Sequence, residues 1–99
     1  MNKIGIYYAY WTREWDVDFH PFIDKVADLG FDILEVNAGT VGRMTSGERR
    51  ALKAHADEKG ISLTFCIGLP HAFDVAAADA SVRQKGIEYL QQMARAVGE

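Results

Sequence analysis

Apolar residues are concentrated in three short runs, and each run is followed by a stretch with helical spacing. The runs cover residues 3–9, 31–36 and 61–66 and carry little polarity on either face. A strand that is apolar on both faces is typical of a parallel sheet covered by helices. The pattern therefore predicts an α/β chain of three consecutive βα units.

The first predicted helix runs from about residue 18 to 29 and ends at Gly30. Its apolar residues lie three and four apart, as in one buried stripe. They are Phe19, Phe22, Ile23, Val26 and Ala27. The spacing predicts a helix that covers the sheet with this stripe.

The second predicted helix begins at a capping box formed by Thr45 and Glu48 and ends at Gly60. Its expected inner face consists of Ala51, Leu52, His55 and Ala56. Residues 37–42, which contain two glycines, are predicted to form a loop between the second strand and this helix.

The third predicted helix begins near Asp79, after an unusually long loop over residues 67–78. Long loops in compact domains are often functional. Its spacing predicts an inner face of Val82, Gly86, Tyr89, Leu90, Met93 and Val97. The helix–glycine–strand repeat would start a fourth strand after Gly98, so residues 1–99 are expected to form one segment that is cut off rather than complete.

Composition narrows the class of protein further. The net charge is -3 and the basic residues are not clustered, which argues against a nucleic-acid groove. Cys66 is the sole cysteine, which rules out an internal disulfide and suits a reducing cytoplasm. No apolar run reaches membrane length. We expect a cytoplasmic chain with no nucleic-acid or membrane partner.

Aromatic residues mark the end of the first strand. If the strands are parallel, Tyr7, Tyr8 and Trp15 lie at the edge where α/β proteins bind ligands. Packing against the first helix is the alternative for the tyrosines, and covering the helix end is the alternative for Trp15. Glu35 lies in an apolar strand, where burial favours a structural hydrogen bond or ion pair over direct catalysis.

The histidines and the cysteine show no pattern of a metal or catalytic site. His20, His55 and His71 have no ligand spacing, so no metal site is predicted. His71 lies in the loop after the third strand and is a secondary candidate for the pocket, like Glu35. Cys66 is expected to be a small pocket-lining residue rather than a nucleophile.

Several of these stretches together resemble the ketose 3-epimerases, the D-tagatose and D-psicose (allulose) 3-epimerases. The matching pieces are Gly5-Ile6-Tyr7-Tyr8-Ala9-Tyr10-Trp11, Glu14-Trp15, Leu29-Gly30-Phe31-Asp32-Ile33-Leu34-Glu35-Val36 and Ile67-Gly68. The resemblance continues through Asp79 and Ser81-Val82-Arg83, and the motifs occur in the family's order. It implies the N-terminal three βα units of a TIM-type (β/α)8 barrel.

The resemblance also implies an activity. Family members epimerise free ketoses at C3 through an enediolate, with a divalent metal, usually manganese. In the family, two glutamates act as acid and base and share the metal with an aspartate and a histidine. All four correspond to positions beyond Glu99. We therefore expect no catalytic or metal-binding residue in this chain, and no epimerisation by it alone.

Four residues match positions of the family's sugar pocket. The resemblance assigns Tyr7 to the sugar, Trp15 to the groove around its far end, and Cys66 with Gly68 to the end of strand 3. This implies one wall of a ketose pocket, completed by the remainder of the barrel. The alternative is a catalytically inactive fragment that self-associates through its open sheet edges.

Overall fold

The computed structural model describes residues 2–98 and contains a sheet covered by helices. The strands are β1 (Gly5–Tyr7), β2 (Ile33–Asn37) and β3 (Ser62–Cys66). The helices are α1 (His20–Asp28), α2 (Ala38–Arg43), α3 (Ser46–Lys59) and α4 (Ala80–Gly98). Two 3₁₀ turns cover Tyr8–Tyr10 and His71–Phe73. The predicted order of βα units is confirmed, with α2 as an addition.

The sheet is parallel, in the order β1-β2-β3, and it is open rather than closed. Its register aligns Ile6 with Leu34 and Leu63, and Tyr7 with Glu35 and Thr64. Because side chains alternate along a strand, these two rows point to opposite sides of the sheet.

The two sides of the sheet differ in what covers them. Leu34 and Val36 are wholly buried in the main core, and this side is the covered face. The core also contains buried residues of the helices and loops, among them Tyr8, Phe19, Ile23, Val26, Leu52 and Ala56. The other side, the open face, carries Tyr7, Glu35, Asn37, Thr64 and Cys66, all partly or largely exposed.

The first strand is shorter than predicted. The sequence predicts strand over 3–9, whereas β1 ends at Tyr7 and the chain turns into a 3₁₀ helix, where the Trp11 amide donates to the Tyr8 carbonyl oxygen at 3.1 Å. The turn places Tyr8 in the core, with its ring 5.1 Å from that of Phe19. Burying the large Tyr8 ring stabilises the fold more than extending the edge strand β1 would.

The predicted loop over residues 37–42 is wrong, because Ala38–Arg43 form helix α2. The Asn37 side chain caps this helix by accepting from the Gly39 amide at 3.0 Å. The helix packs on α4, and a Cβ built on Gly42 would lie only 2.2 Å from Met93 Cε. The glycine that suggests a loop in the sequence therefore serves a close approach between helices.

The predicted helix ends agree closely with the structure. Thr45 and Glu48 form the reciprocal capping box of α3. Gly30 and Gly60 follow their helices with positive φ angles of 85° and 71°. Two inner-face residues were predicted wrongly, since Ala51 and Leu90 are exposed. None of the helices formed by residues 2–98 is long and apolar enough to cross a membrane.

Candidate functional site

Tyr7 lies at the carboxyl end of β1, on the open face. Its backbone register pairs it with Glu35, and its ring meets the buried Tyr8 ring edge-on at 4.9 Å. Tyr8 itself is wholly buried, so of the two tyrosines only Tyr7 can reach a ligand. The edge-on contact fixes the ring of Tyr7 against the core.

The Tyr7 side chain reaches across β2 to Cys66, at the end of β3. A hydrogen bond with the Cys66 side chain, followed by burial, raises the pKa of Tyr7 well above its usual range. The Cys66 thiol in turn lies 3.7 Å from the Val36 carbonyl oxygen, to which it donates. The phenol of Tyr7 therefore remains protonated near neutral pH, as a hydrogen-bond donor rather than a base.

Glu35 occupies the middle of the open face. Together with Tyr7 and Thr64 it lines a shallow cavity of about 230 Å³. The expected ion pair or hydrogen bond is not observed for its carboxylate among residues 2–98, and the side chain is half-buried instead of enclosed. An open sheet leaves this carboxylate in contact with water, which removes the cost that the burial argument assumed.

Trp15 is displayed by a loop whose backbone is tied down. The Trp15 carbonyl oxygen accepts from the Tyr8 hydroxyl at 3.0 Å and from the Thr40 hydroxyl at 3.2 Å. Thr40 also lies 2.9 Å from a carboxylate oxygen of Asp16, which pairs with Arg43. The indole is 62% exposed, so the loop presents it to solvent rather than covering the end of α1.

The other two predicted residues lie in the segment after β3. Gly68 is exposed, and a side chain there would meet no atom within 4 Å. His71 is exposed in the second 3₁₀ turn. That turn packs on α4, where the rings of Phe73 and Tyr89 stack at 4.7 Å.

The structure brings Tyr7, Glu35 and Cys66 to one face but shows no contact, within the described residues, that joins Trp15, Gly68 or His71 to them. Sequence reasoning missed Thr40, Asp16 and Arg43, which hold the Trp15 loop. Their contacts span more than twenty positions, and no local spacing reveals such pairs.

The manganese that the resemblance implies finds no matching ligand set here. Across residues 2–98, no three side chains of the His, Cys, Asp or Glu type lie together in a way that could hold a metal ion. The donor groups of the open face, a phenol, a thiol and one carboxylate, do not make up such a set either. The described residues therefore do not fit a manganese site.

Comparison with known proteins finds relatives among the D-psicose 3-epimerases. The D-psicose 3-epimerase of Agrobacterium fabrum is 40% identical over 90 residues, which are 91% of this chain and 31% of the relative. The D-psicose 3-epimerase of Ruminiclostridium cellulolyticum is 42% identical, over 83% of this chain and 28% of the relative. A search against family models finds no match.

A solved structure agrees with these relatives. The crystal structure of D-psicose 3-epimerase in the presence of D-fructose superposes with a TM-score of 0.93 at 38% identity, covering 97% of this chain and 33% of the other. The open sheet thus corresponds to part of a TIM-type barrel. This chain spans about a third of the length of the relatives that it matches. The resemblance of this chain to the ketose 3-epimerase family is therefore confirmed over 91% of its length.

Proposed function

We propose that this chain forms one wall of the sugar pocket of a ketose 3-epimerase, an isomerase that acts on free ketohexoses such as D-tagatose, D-fructose and D-psicose. The observation that carries the proposal is the strand register, which aligns Tyr7 with Glu35 and Thr64 on the open face and places Cys66 beside Asn37. It gathers polar groups at the carboxyl ends of parallel strands, which is where barrel enzymes bind their substrates. The resemblance of the chain to D-psicose 3-epimerases supports the same assignment.

The open face offers chemistry that suits a sugar. The phenol oxygen of Tyr7 and the half-buried carboxylate of Glu35 can each accept from a sugar hydroxyl. A few convergent polar groups beside aromatic rings are typical of small-molecule sites. We assign direct contacts to Tyr7, Cys66 and Gly68 and the far end of the sugar to Trp15, with Glu35 and His71 as secondary contacts.

The proposal assigns binding, not proton transfer, to the described residues. Epimerisation at C3 removes a proton on one side of the carbon and returns one on the other, so it needs two acid–base groups. On the open face of the described strands, Glu35 alone carries a carboxylate. We therefore expect sugar binding by this chain without turnover.

Binding is tested by titrating D-tagatose and D-fructose into the ¹⁵N-labelled chain and following amide shifts. We expect shifts at the ends of β1 and β3, and at least about fivefold weaker binding by Tyr7→Phe, since one hydrogen bond contributes about 1 kcal/mol. Tyr10→Phe is the matched control, because Tyr10 is 76% exposed. Equal affinity of the two variants would remove Tyr7 from the site.

Turnover is tested by incubating the purified chain with D-fructose or D-tagatose, with and without Mn²⁺. The expected result is no conversion in either condition. Metal-dependent epimerisation would mean that ligands exist in this chain, with Glu35 and His71 the first candidates, and it would contradict the assignment of binding alone.

A second candidate function is self-association of a catalytically inactive fragment. The observation that favours it is the pair of free edges that β1 and β3 present in the described sheet. Free edges invite pairing with another chain, and a charge placed on them blocks it. Thr64→Lys on β3 would then shift a concentration-dependent oligomer to monomer in light scattering, whereas Ala54→Lys on exposed α3 would not.

Two further expectations stay predictions. The single cysteine favours a cytoplasmic location. We also propose, from the continuous pattern of βα units, that the chain is one segment without an internal boundary.

A further inference from the structure

Two histidines meet on the outer layer of the molecule, away from the open face. His20 begins α1 and His55 lies on α3, and their rings are nearly parallel, with centroids 4.9 Å apart and planes 14° apart. The two Nδ1 atoms are 2.6 Å apart. Both side chains are partly buried, at the contact between α1 and α3.

The facing nitrogens can share only one proton. At this distance one Nδ1 must donate and the other must accept, because two N–H groups cannot point at each other. His55 Nε2 lies 2.7 Å from Asp24 Oδ1, and an ionised carboxylate only accepts, so this nitrogen carries a proton. The geometry therefore suits a neutral pair or a pair with one positive charge, but not a pair with two.

The carboxylate of Asp24 stabilises the first positive charge, and the facing Nδ1 atoms leave no room for a second. Asp24 is the carboxylate in contact with the pair, and its pKa is lowered first of all by the hydrogen bond from His55. The Lys59 ammonium lies 3.8 Å from the same carboxylate oxygen and competes with His55 for the ion pair with Asp24.

The other charged groups near His20 are already engaged. Asp16 pairs with Arg43, and a carboxylate oxygen of Glu48 accepts from the Thr45 amide. Asp18 accepts from the backbone amide of His20 at 3.0 Å, not from its ring. Asp16, Arg43, Glu48 and Asp18 line the open cavity beside His20, and none of the contacts just described involves its ring.

We propose that His20, His55 and Asp24 form an acid-sensitive clasp between α1 and α3. The clasp is closed while the histidine pair holds at most one positive charge and opens when both rings are protonated. Histidines of an unfolded chain have a pKa of about 6.5, so below that pH the unfolded state binds more protons than the clasped state. Stability supplied by the clasp is thus present at neutral pH and lost as the pH falls through the histidine range.

The contact itself is the first test. In the intact chain, the nuclear Overhauser effect between the His20 and His55 ring protons is followed from about pH 8 to about pH 5. We expect the signal to be present at the upper value and lost at the lower one. The ring signals of His71, which is exposed in its own turn, are followed in the same tube for comparison. Persistence of the signal after His71 is fully protonated would overturn the proposal.

The second test removes one of the two charges. His20→Asn keeps a polar side chain on α1 but leaves a single imidazole, and His71→Asn is the matched control. Between about pH 8 and about pH 5, the folded-to-unfolded ratio of the wild type should fall at least about tenfold further than that of His20→Asn. His71→Asn should follow the wild type. Equal pH dependence of wild type and His20→Asn would contradict the clasp, and the first test stands even where the variant fails to fold.

Discussion

The two faces of the sheet teach different lessons about the same strands. On the covered face, Leu34 and Val36 are wholly buried, so their side chains serve packing and cannot contact a ligand. On the open face, Glu35 contacts solvent although it lies between Leu34 and Val36 in the same strand. Thr64, its partner in the next strand, contacts solvent too. Neighbouring residues of one strand therefore have different roles, in stability on one face and in recognition on the other, because side chains alternate across a strand.

The layer of helices deepens this contrast. The covered face is held by apolar packing that does not depend on pH, whereas the clasp proposed for His20 and His55 at its margin would depend on it. The open face is instead mainly polar, with a phenol, a thiol and a carboxylate that are only partly buried. The following substitutions test that division, from the largest expected effect to the smallest.

The largest effect is expected on the covered face. Leu34→Ala should lower the free energy of unfolding by about 2–5 kcal/mol, because it leaves a cavity in a closed core. Thr64→Ala, on the open face of the neighbouring strand, should change it by less than about 0.5 kcal/mol. Urea denaturation followed by circular dichroism measures both, and similar losses for the two variants would show that the open face is covered in solution.

An intermediate effect is expected where the segment after β3 packs on α4. A Cβ on Gly86 would lie 2.2 Å from the Phe73 carbonyl oxygen, a backbone atom that cannot turn aside. Gly86→Ala should therefore cost about 1–3 kcal/mol by overpacking. Gly47→Ala on α3 is the control, since its Cβ would meet only Thr45 Oγ1, at 3.9 Å. Thermal unfolding of the two variants measures the difference. Equal melting temperatures for both would mean that the segment after β3 is loosely packed on α4.

A smaller effect is expected at the amino end of α3. Thr45→Ala removes the capping hydroxyl and should cost about 1 kcal/mol. The backbone hydrogen bond at Thr45, followed by that of its side chain, lowers the pKa of Glu48. A carboxylate with a lowered pKa stabilises the fold above the unfolded value of ~4.3, and this stabilisation is lost as the pH falls through the folded value.

The capping prediction is checked by unfolding the wild type and Thr45→Ala at several acidic pH values. The difference between them should shrink as Glu48 becomes protonated. Thr12→Ala serves as the control, because the Thr12 hydroxyl accepts a hydrogen bond from the Glu14 amide in a loop, outside any helix. A difference that is constant with pH would mean that the Thr45 hydroxyl and the Glu48 carboxylate act independently, because Thr45→Ala keeps the amide that donates to Glu48.

Local signals in the sequence predicted most of the secondary structure. The capping box at Thr45 and the glycines after α1 and α3 act through neighbours a few positions away, so their outcome could be predicted from spacing. Helix α2 could not, because its glycines suggested a loop and the contact of Gly42 with Met93 joins residues about fifty positions apart.

The candidate site divides in the same way. The apolar pattern placed Tyr7 in the first strand, and the resemblance to ketose 3-epimerases named it as a sugar contact, whereas the end of β1 at Tyr7 is seen only in the structure. Its reach across β2 to Cys66 depends on the parallel order of the strands and is visible only in the fold. The burial of Tyr8, one residue later, likewise depends on the turn that follows β1.

The sequence by itself determined the α/β class, the order of the units and the family that the chain resembles, because periodicity, caps and motifs are local or ordered along the chain. Tertiary structure alone decided which side of the sheet is covered, where the carboxylate of Glu35 lies and that His20 meets His55. Those outcomes depend on contacts between residues distant in sequence, and such contacts are fixed only when strands and helices pack together.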